Sequence, residues 1–259
     1  MSDGRPPVSA LVVAHNEEAN LADCLATLAF ANETVVVLDR CTDRSKEIAL
    51  AHKAKIVEGA WPFEGDRRNA GISACRNDWI FEVDADERVP ASLANEITSV
   101  LKHAAPGCFL VAYDNYIGRR HVRFGWGAYN GVTVKWSLFH RGCKVWGNQS
   151  VHPQIEVKGK RGRLDAPMVH FVDQSLADLF SRLNRYSDLA ARDAAAKGTA
   201  GSGWTASRRF FSRFWKAYVT RKGYKEGVYG VALGLFAGLY PLLTYLKAQE
   251  ILDGKERRA

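Results

Sequence analysis

The chain has 259 residues, 47% of them hydrophobic and 25% charged, which fits a folded protein with one large domain or a domain plus an appendage and excludes a disordered or fibrous chain. A formal net charge of +8 and a pI of about 9.3 point to an anionic partner: a nucleotide, nucleic acid or an acidic membrane surface. Cys24, Cys41, Cys75, Cys108 and Cys143 show no Cys-x-x-Cys or Cys/His ligand spacing, which argues against zinc and for reduced thiols in a cytoplasmic protein. The opening Met-Ser-Asp-Gly-Arg-Pro-Pro lacks an apolar signal core, so no secretory signal is expected.

In chain order, Val8-Ser-Ala-Leu-Val-Val-Ala14 is a continuous apolar run and reads as a central parallel strand. His15-Asn16-Glu17-Glu18 follows as a loop, with Asn16 a helix-cap candidate before a helix marked by Leu21, Leu25 and Leu28. Thr34–Leu38 is a second buried strand that runs into Asp39. A helix over Lys46–Lys53 follows, with Asp43 as its cap, then a short strand over Ala54–Val57. Trp61 to Asn69 leads into a helix through Cys75, with one of Arg67 and Arg68 expected as an exposed basic helix start. Trp79–Val83 is a fourth strand, ending in Asp84-Ala-Asp86-Glu-Arg88. Extended backbone would point Asp84 and Asp86 the same way, and two oxygen donors there suit Mg²⁺ or Mn²⁺. A solvated acidic turn is the alternative.

Strand and helix alternate to residue 103, the pattern of an open parallel α/β sheet. Acidic and amide side chains follow three of the strands, at Asn16-Glu17, Asp39 and Asp84/Asp86. Ligands of such sheets bind beyond the carboxyl ends of the strands. No G-x-G-x-x-G follows the first strand and no G-x-x-x-x-G-K-[ST] occurs, which argues against a dinucleotide site and a P-loop.

The order of these motifs resembles family 2 of the nucleotide-sugar glycosyltransferases, with the GT-A fold: Val12-Val-Ala-His-Asn16-Glu17, Val36-Val-Leu-Asp39, Asp66-Arg67-Arg68-Asn69 and Asp84-Ala-Asp86. Trp136-Ser-Leu-Phe139-His-Arg141, Val151-His152, His170-Phe, Arg185-Tyr186-Ser and Tyr218-Val-Thr-Arg221 extend the resemblance to the lipopolysaccharide-core β-1,4-glucosyltransferase subgroup. The resemblance implies a Rossmann-like, mostly parallel sheet in a catalytic domain over residues 1–172. Its donor half would be 8–103 and its acceptor half 104–172, with a helical extension over 173–259. It implies an inverting, metal-dependent hexosyltransferase with a UDP-sugar donor, glucose as the expected sugar, and a glycolipid acceptor such as lipopolysaccharide inner core. A polyprenyl-phosphate or capsule intermediate is the alternative acceptor, and a non-catalytic nucleotide-sugar scaffold the alternative function.

By the same resemblance Asp39 would accept a hydrogen bond from uracil, and Asn16 and Glu17 would line the uridine. Arg68 would approach the base or diphosphate, Asp84 the ribose or metal, and Asp86 the metal, Mg²⁺ or Mn²⁺. The subgroup carries a His-Glu pair where this chain has His152-Pro153-Gln154. Proline cannot serve as a base, which leaves His152, Glu156 and Asp114 as candidates.

Beyond residue 104, Phe109–Tyr113 and Val132–Phe139 read as strands around a basic, glycine-rich loop, Gly118–Gly127. Trp126, Tyr129 and Trp136 fit either sugar stacking or core packing, and Arg141 belongs to a basic cluster suited to an acidic acceptor. Ser175–Ala196 reads as a helix with Leu176, Leu179, Phe180, Leu183 and Tyr186 on one side, and Lys197–Gly203 as a linker. Arg208–Lys225 then carries seven basic residues, six aromatics and no acid, a composition suited to a helix on anionic lipid rather than nucleic acid. Gly227–Leu246 has twenty residues without a charge, broken by four glycines and Pro241. It reads as an in-plane membrane anchor, a helix packed on the domain or on a dimer partner, or a span. A peripheral location on the inner face of the plasma membrane is expected.

Overall fold

The computed structural model describes residues 5–125, 133–148 and 153–256. His152, Trp126 and Tyr129 lie outside the described residues. The chain divides into two compact units, residues 1–114 with 134–170 and residues 115–133 with 171–259.

The first unit is built on four parallel strands. In chain order these are β1 (Val8–Ala14), β2 (Glu33–Asp39), β3 (Lys55–Gly59) and β4 (Trp79–Asp84). Connecting them are α1 (Leu21–Ala26), α2 (Ser45–Ala51) and α3 (Glu64–Ala74). Every residue of β1 is buried, because helices cover both faces of the sheet. Val8, Ala10, Val12 and Ala14 pack with Leu21, Cys24 and Leu25 of α1, while Leu11 and Val13 pack with Ile72 of α3. Strand period two thus assigns alternate residues of one run to opposite cores. Gly71 brings α3 close to the sheet: a Cβ there would stand 2.5 Å from Leu11 Cδ1 and 2.7 Å from Val37 Cγ2.

After β4 come β5 (Glu87–Arg88), α4 (Ala91–Val100), β6 (Gly107–Ile117), β7 (Arg120–Val122), β8 (Val134–His140), β9 (Lys144–Trp146), β10 (Ile155–Val157), β11 (Lys160–Arg163) and β12 (Met168–Asp173). The strand order is β3-β2-β1-β4-β8-β6-β12-β5. β8 runs antiparallel to β4, with Phe81 opposite Leu138, and β12 antiparallel to β5, with His170 opposite Glu87. The sheet is therefore mixed and dominated by its parallel part, the α/β class expected for a GT-A fold.

The second unit is helical: α5 (Leu176–Ala196), α6 (Gly203–Trp215) and α7 (Val228–Glu256), with a π-helical turn at Lys216–Thr220 and a 3-10 turn at Gly223–Glu226. Ser175 caps α5 by accepting the Asp178 N–H. Leu179, Leu183, Ser187, Ala191 and Ala195 form its buried stripe, whereas Leu176, Phe180 and Tyr186, expected on the same side, are exposed. The apolar stripe is wider than the contact it makes. The glycine-rich stretch of α7 lies under α6: a Cβ on Gly234 or Gly238 would press on the Phe214 or Phe210 ring. The segment read as a basic loop contains β7, which pairs antiparallel with the end of β6.

Candidate active site

Parallel register brings the carboxyl ends of the first four strands to one edge. Val13 lies opposite Asp84, Ala14 opposite Leu38, and Asp39 opposite Gly59. The residues that follow β1, β2 and β4 meet there for that reason.

Asn16 sits at φ +58°, and its Oδ1 accepts the Thr42 N–H at 2.8 Å, so it ties two strand-end loops together. It does not cap the first helix, which begins at Leu21 after Asn20. Asp43, expected as a cap, accepts the Ser45 N–H at the start of α2. Glu17 accepts from Asn20 Nδ2 at 3.1 Å. Burial raises its carboxyl above the ordinary value, the Asn20 bond opposes this, and the charges of Asp86, Asp84 and Asp43 add to it.

Asp39 is 1% exposed. It accepts from Arg40 Nε and Nη2 at 3.0 and 2.9 Å, from the Trp61 N–H at 3.2 Å and from Arg67 Nη1 at 3.1 Å. Burial alone would raise its carboxyl, but the bonds from Arg40 and Trp61 and the charges of Arg40 and Arg67 outweigh it and hold the group low. Arg40 is half exposed at φ +53°.

Arg68 pairs with Glu64 at 2.8 Å, Glu82 at 2.6 Å and Asp84 at 3.1 Å, and stacks on Trp146 at 4.7 Å. Neither Arg67 nor Arg68 is the exposed helix start expected of one of them; both reach inward to acids on neighbouring strands. Glu82, on β4, also takes a short bond from Lys144 and one from Trp146 Nε1. Burial of Glu82 works against its charge, but Lys144 and Arg68 prevail and keep it below the ordinary range.

The extended backbone of β4 ends at Asp84, and Ala85-Asp86 is a turn. The two aspartates consequently serve different partners. Asp84 pairs with Arg68 and with Lys135 of β8. Asp86 pairs with His170 of β12, Oδ2 to Nε2 at 3.3 Å. Glu87, fully buried, accepts from Lys135 Nζ at 2.6 Å and from the Asp84 N–H at 2.9 Å. Asp86, Glu87 and His170 each present a ligand atom, and these atoms lie within 4.8 Å of one another. Burial pushes the Glu87 carboxyl up to about 7, with Lys135 opposing and Asp84 and Asp86 adding to the rise. Partial burial would raise Asp84, but Arg68 and Lys135 overcome that and hold it far below the carboxylate range.

The remaining candidates stand as follows. Asp114 is half-buried on β6. Glu156 is exposed on β10 and pairs with Lys158 at 3.0 Å. Trp136 packs against the core formed by Leu11, Ile80 and Phe139. The Arg141 guanidinium donates to the carbonyls of Ile72, Cys75 and Asn77 and so fastens the loop between α3 and β4. Sequence reasoning missed Glu87, Lys135, Lys144 and the metal-ligand geometry of His170. A lysine within an alternating strand, Lys135, was the available signal for one of them.

Carboxylates thus gather beyond the parallel strand ends, and His170 of β12 reaches the turn that follows β4. The family model "Glycosyl transferase family 2" matches residues 9–155, and the chain belongs to that family. An uncharacterized glycosyltransferase of Rickettsia bellii is 24% identical over 94% of this chain and 86% of its own length. The lipopolysaccharide core biosynthesis glycosyltransferase LpsC of Rhizobium meliloti is 27% identical over 74% of this chain and 73% of its own. Among solved structures, Mycobacterium tuberculosis glucosyl-3-phosphoglycerate synthase with Mn²⁺, UDP and glucosyl-3-phosphoglycerate aligns at a TM-score of 0.36 and 21% identity, covering 45% of this chain and 46% of that one.

Proposed function

We propose that this family 2 glycosyltransferase moves a hexose, glucose in the first instance, from a UDP-sugar to a membrane glycolipid of the lipopolysaccharide-core type, with inversion. The observation that carries this reading is the convergence of Asp86, Glu87 and His170 at the edge where Glu17, Asp39 and Asp84 also end. Two carboxylates and an imidazole make a donor set of hard oxygens and one borderline nitrogen, which suits Mn²⁺ as well as Mg²⁺. Asp86, one-third exposed, and His170 would hold the cation directly, with buried Glu87 behind them. Such a cation neutralises a diphosphate leaving group.

The chain's own residues do the rest. Asp39 is ionised and offers the acceptor that a uracil N–H needs, once the exposed Arg40 side chain swings away. Lys135 and Arg68 keep Asp84 charged at the strand end. The named activity of the Rhizobium relative supports the acceptor class, and the long apolar α7 supports a reaction at a membrane.

The test is a thermal-shift panel of UDP-, GDP-, CMP- and dTDP-sugars with and without Mn²⁺, followed by transfer assays on lipopolysaccharide-core and polyprenyl-phosphate acceptors. UDP-sugars should stabilise the chain by about 2.7 kcal/mol at roughly 100-fold excess over Kd. Selective stabilisation by another nucleotide would overturn the donor, and transfer to polyprenyl phosphate alone would overturn the acceptor.

A further inference from the structure

We propose that α6 is a docking helix that lies flat on an anionic lipid surface, with Trp204, Phe211 and Trp215 entering the headgroup layer and Arg208, Arg209 and Lys216 meeting the lipid phosphates. The surface rests on the glycolipid reading only for its purpose, since lipid binding is measured without donor or acceptor.

Spacings of seven and four residues place the three aromatics on one narrow stripe of α6. They are 78%, 68% and 62% exposed. The opposite face is already occupied: Ala206 is buried, and Phe210 and Phe214 pack on Gly238 and Gly234 of α7. The amphipathic pattern is thus doubled, with one apolar face spent on protein and a second, aromatic one turned outward. An exposed aromatic stripe is the composition of a helix in the membrane interface, where the rings sit at headgroup depth.

Charge identifies the kind of surface. Lys and Arg outnumber Asp and Glu by 18 to 8 in the second unit, but number 18 against 20 in the first. The whole positive balance of the protein therefore belongs to the unit that holds α6. Arg208, Arg209 and Lys216 are exposed on the flank of the aromatic stripe, and among the described residues no carboxylate pairs with them. Glu226, the next acid after them in the chain, is turned inward: its Oε1 accepts the Arg123 and Phe124 N–H groups, and its Oε2 pairs with Arg120. Among the described residues, eleven of the fifteen large hydrophobic side chains left exposed lie in this unit. A surface both cationic and apolar matches an anionic bilayer better than water.

The same packing argues for a surface-bound hairpin rather than a lone span by α7. Gly234 and Gly238 are covered by α6, Gly230 by the 3-10 turn, and Lys247, within the length of α7, binds Asp188 at 2.7 Å and Asn184 Oδ1 at 2.7 Å on α5. A span would strip away these contacts.

The test uses the full chain with sedimenting vesicles of phosphatidylcholine, with and without phosphatidylglycerol. Binding should require the anionic lipid. Two variants are compared: Trp204→Ala/Phe211→Ala/Trp215→Ala, and Arg208→Gln/Arg209→Gln/Lys216→Gln. All six positions face solvent, so both should keep the wild-type melting temperature and nucleotide response. Each should bind anionic vesicles at least about tenfold more weakly, and the charge variant about 100-fold more weakly at low salt. Equal binding by wild type and both variants, or no vesicle binding by wild type, overturns the proposal. So does a wild-type dimer that the aromatic variant converts to monomer, or RNA binding that outcompetes the vesicles. A chain that binds vesicles as expected but no nucleotide sugar would leave the docking surface standing and sink the transferase reading instead.

Discussion

Lys135 of β8 places its ammonium 2.6 Å from the buried Glu87 carboxylate, and the same nitrogen pairs with Asp84 at the end of β4. One cation thus serves two acids that sit three residues apart on a turning backbone. Burial works against the charge on Lys135, but Asp84 and Glu87 keep its pKa well above the ordinary lysine value. Removing it would leave the fully buried Glu87 without a cation, while Asp84 keeps Arg68. Lys135→Met should cost about 3–5 kcal/mol of stability, the penalty for breaking a buried pair from one side. Urea unfolding measures it; a cost under about 1 kcal/mol would show that the pair is not held as described.

The acids of the site titrate in opposite senses. Glu87 is raised from 4.5 to about 7, so between those values the folded chain holds a proton that the unfolded chain has released. Stability from this group is lost as pH rises through about 7 and gained as pH falls toward 4.5. Asp39, Glu82 and Asp84 are depressed, so their contribution is present above the unfolded carboxyl range and lost as pH falls through their lower folded values. The melting temperature should peak on the weakly acid side of neutrality. Glu87→Gln should flatten the upper limb and leave the acid limb in place. An unchanged profile in that variant would contradict the assignment.

Arg40 competes for the acceptor atoms of Asp39. It is in the left-handed region, half exposed, and binds both oxygens of its neighbour. Arg40→Ala removes two bonds yet leaves those from Trp61 and Arg67. Stability should change by no more than about 1 kcal/mol, as for exposed ion pairs. UDP-sugar affinity, followed by calorimetry, should improve by a few fold. Weaker binding would mean that Arg40 contacts the nucleotide rather than standing in its way.

The local part of this architecture was legible in the sequence, and the cross-strand part was not. The apolar runs at Val8–Ala14, Thr34–Leu38 and Trp79–Val83 mark β1, β2 and β4 almost to the residue, since burial on both faces leaves no other composition open to them. Their order also placed Asn16, Asp39 and Asp84 on one edge. The pairing of Asp84 with Asp86 was expected from extended backbone, but the turn at Ala85 divides them. His170 reaches Asp86 only because β12 pairs with β5, some eighty residues away in sequence. Lys135 reaches Asp84 only because β8 runs antiparallel to β4. Neither pairing leaves a periodic trace. In the tail, the spacing of Gly230, Gly234 and Gly238 announced a close helix contact; Gly234 and Gly238 meet α6 of the same chain, and Gly230 meets Gly223 of the 3-10 turn.

The most direct measurement of the central claim is calorimetric titration of UDP into the wild-type chain and into Asp86→Ala/His170→Ala, each with and without Mn²⁺. Asp86 lies in the turn after β4, and His170 is buried on β12 with its ring edge-on to Tyr113, so a melting curve of the double variant is recorded first to establish that it folds. Wild type should bind UDP strongly only when Mn²⁺ is present, and the double variant should lose at least about 100-fold in that metal-dependent affinity. Equal, Mn²⁺-enhanced UDP binding by the two proteins would contradict a cation held by Asp86 and His170.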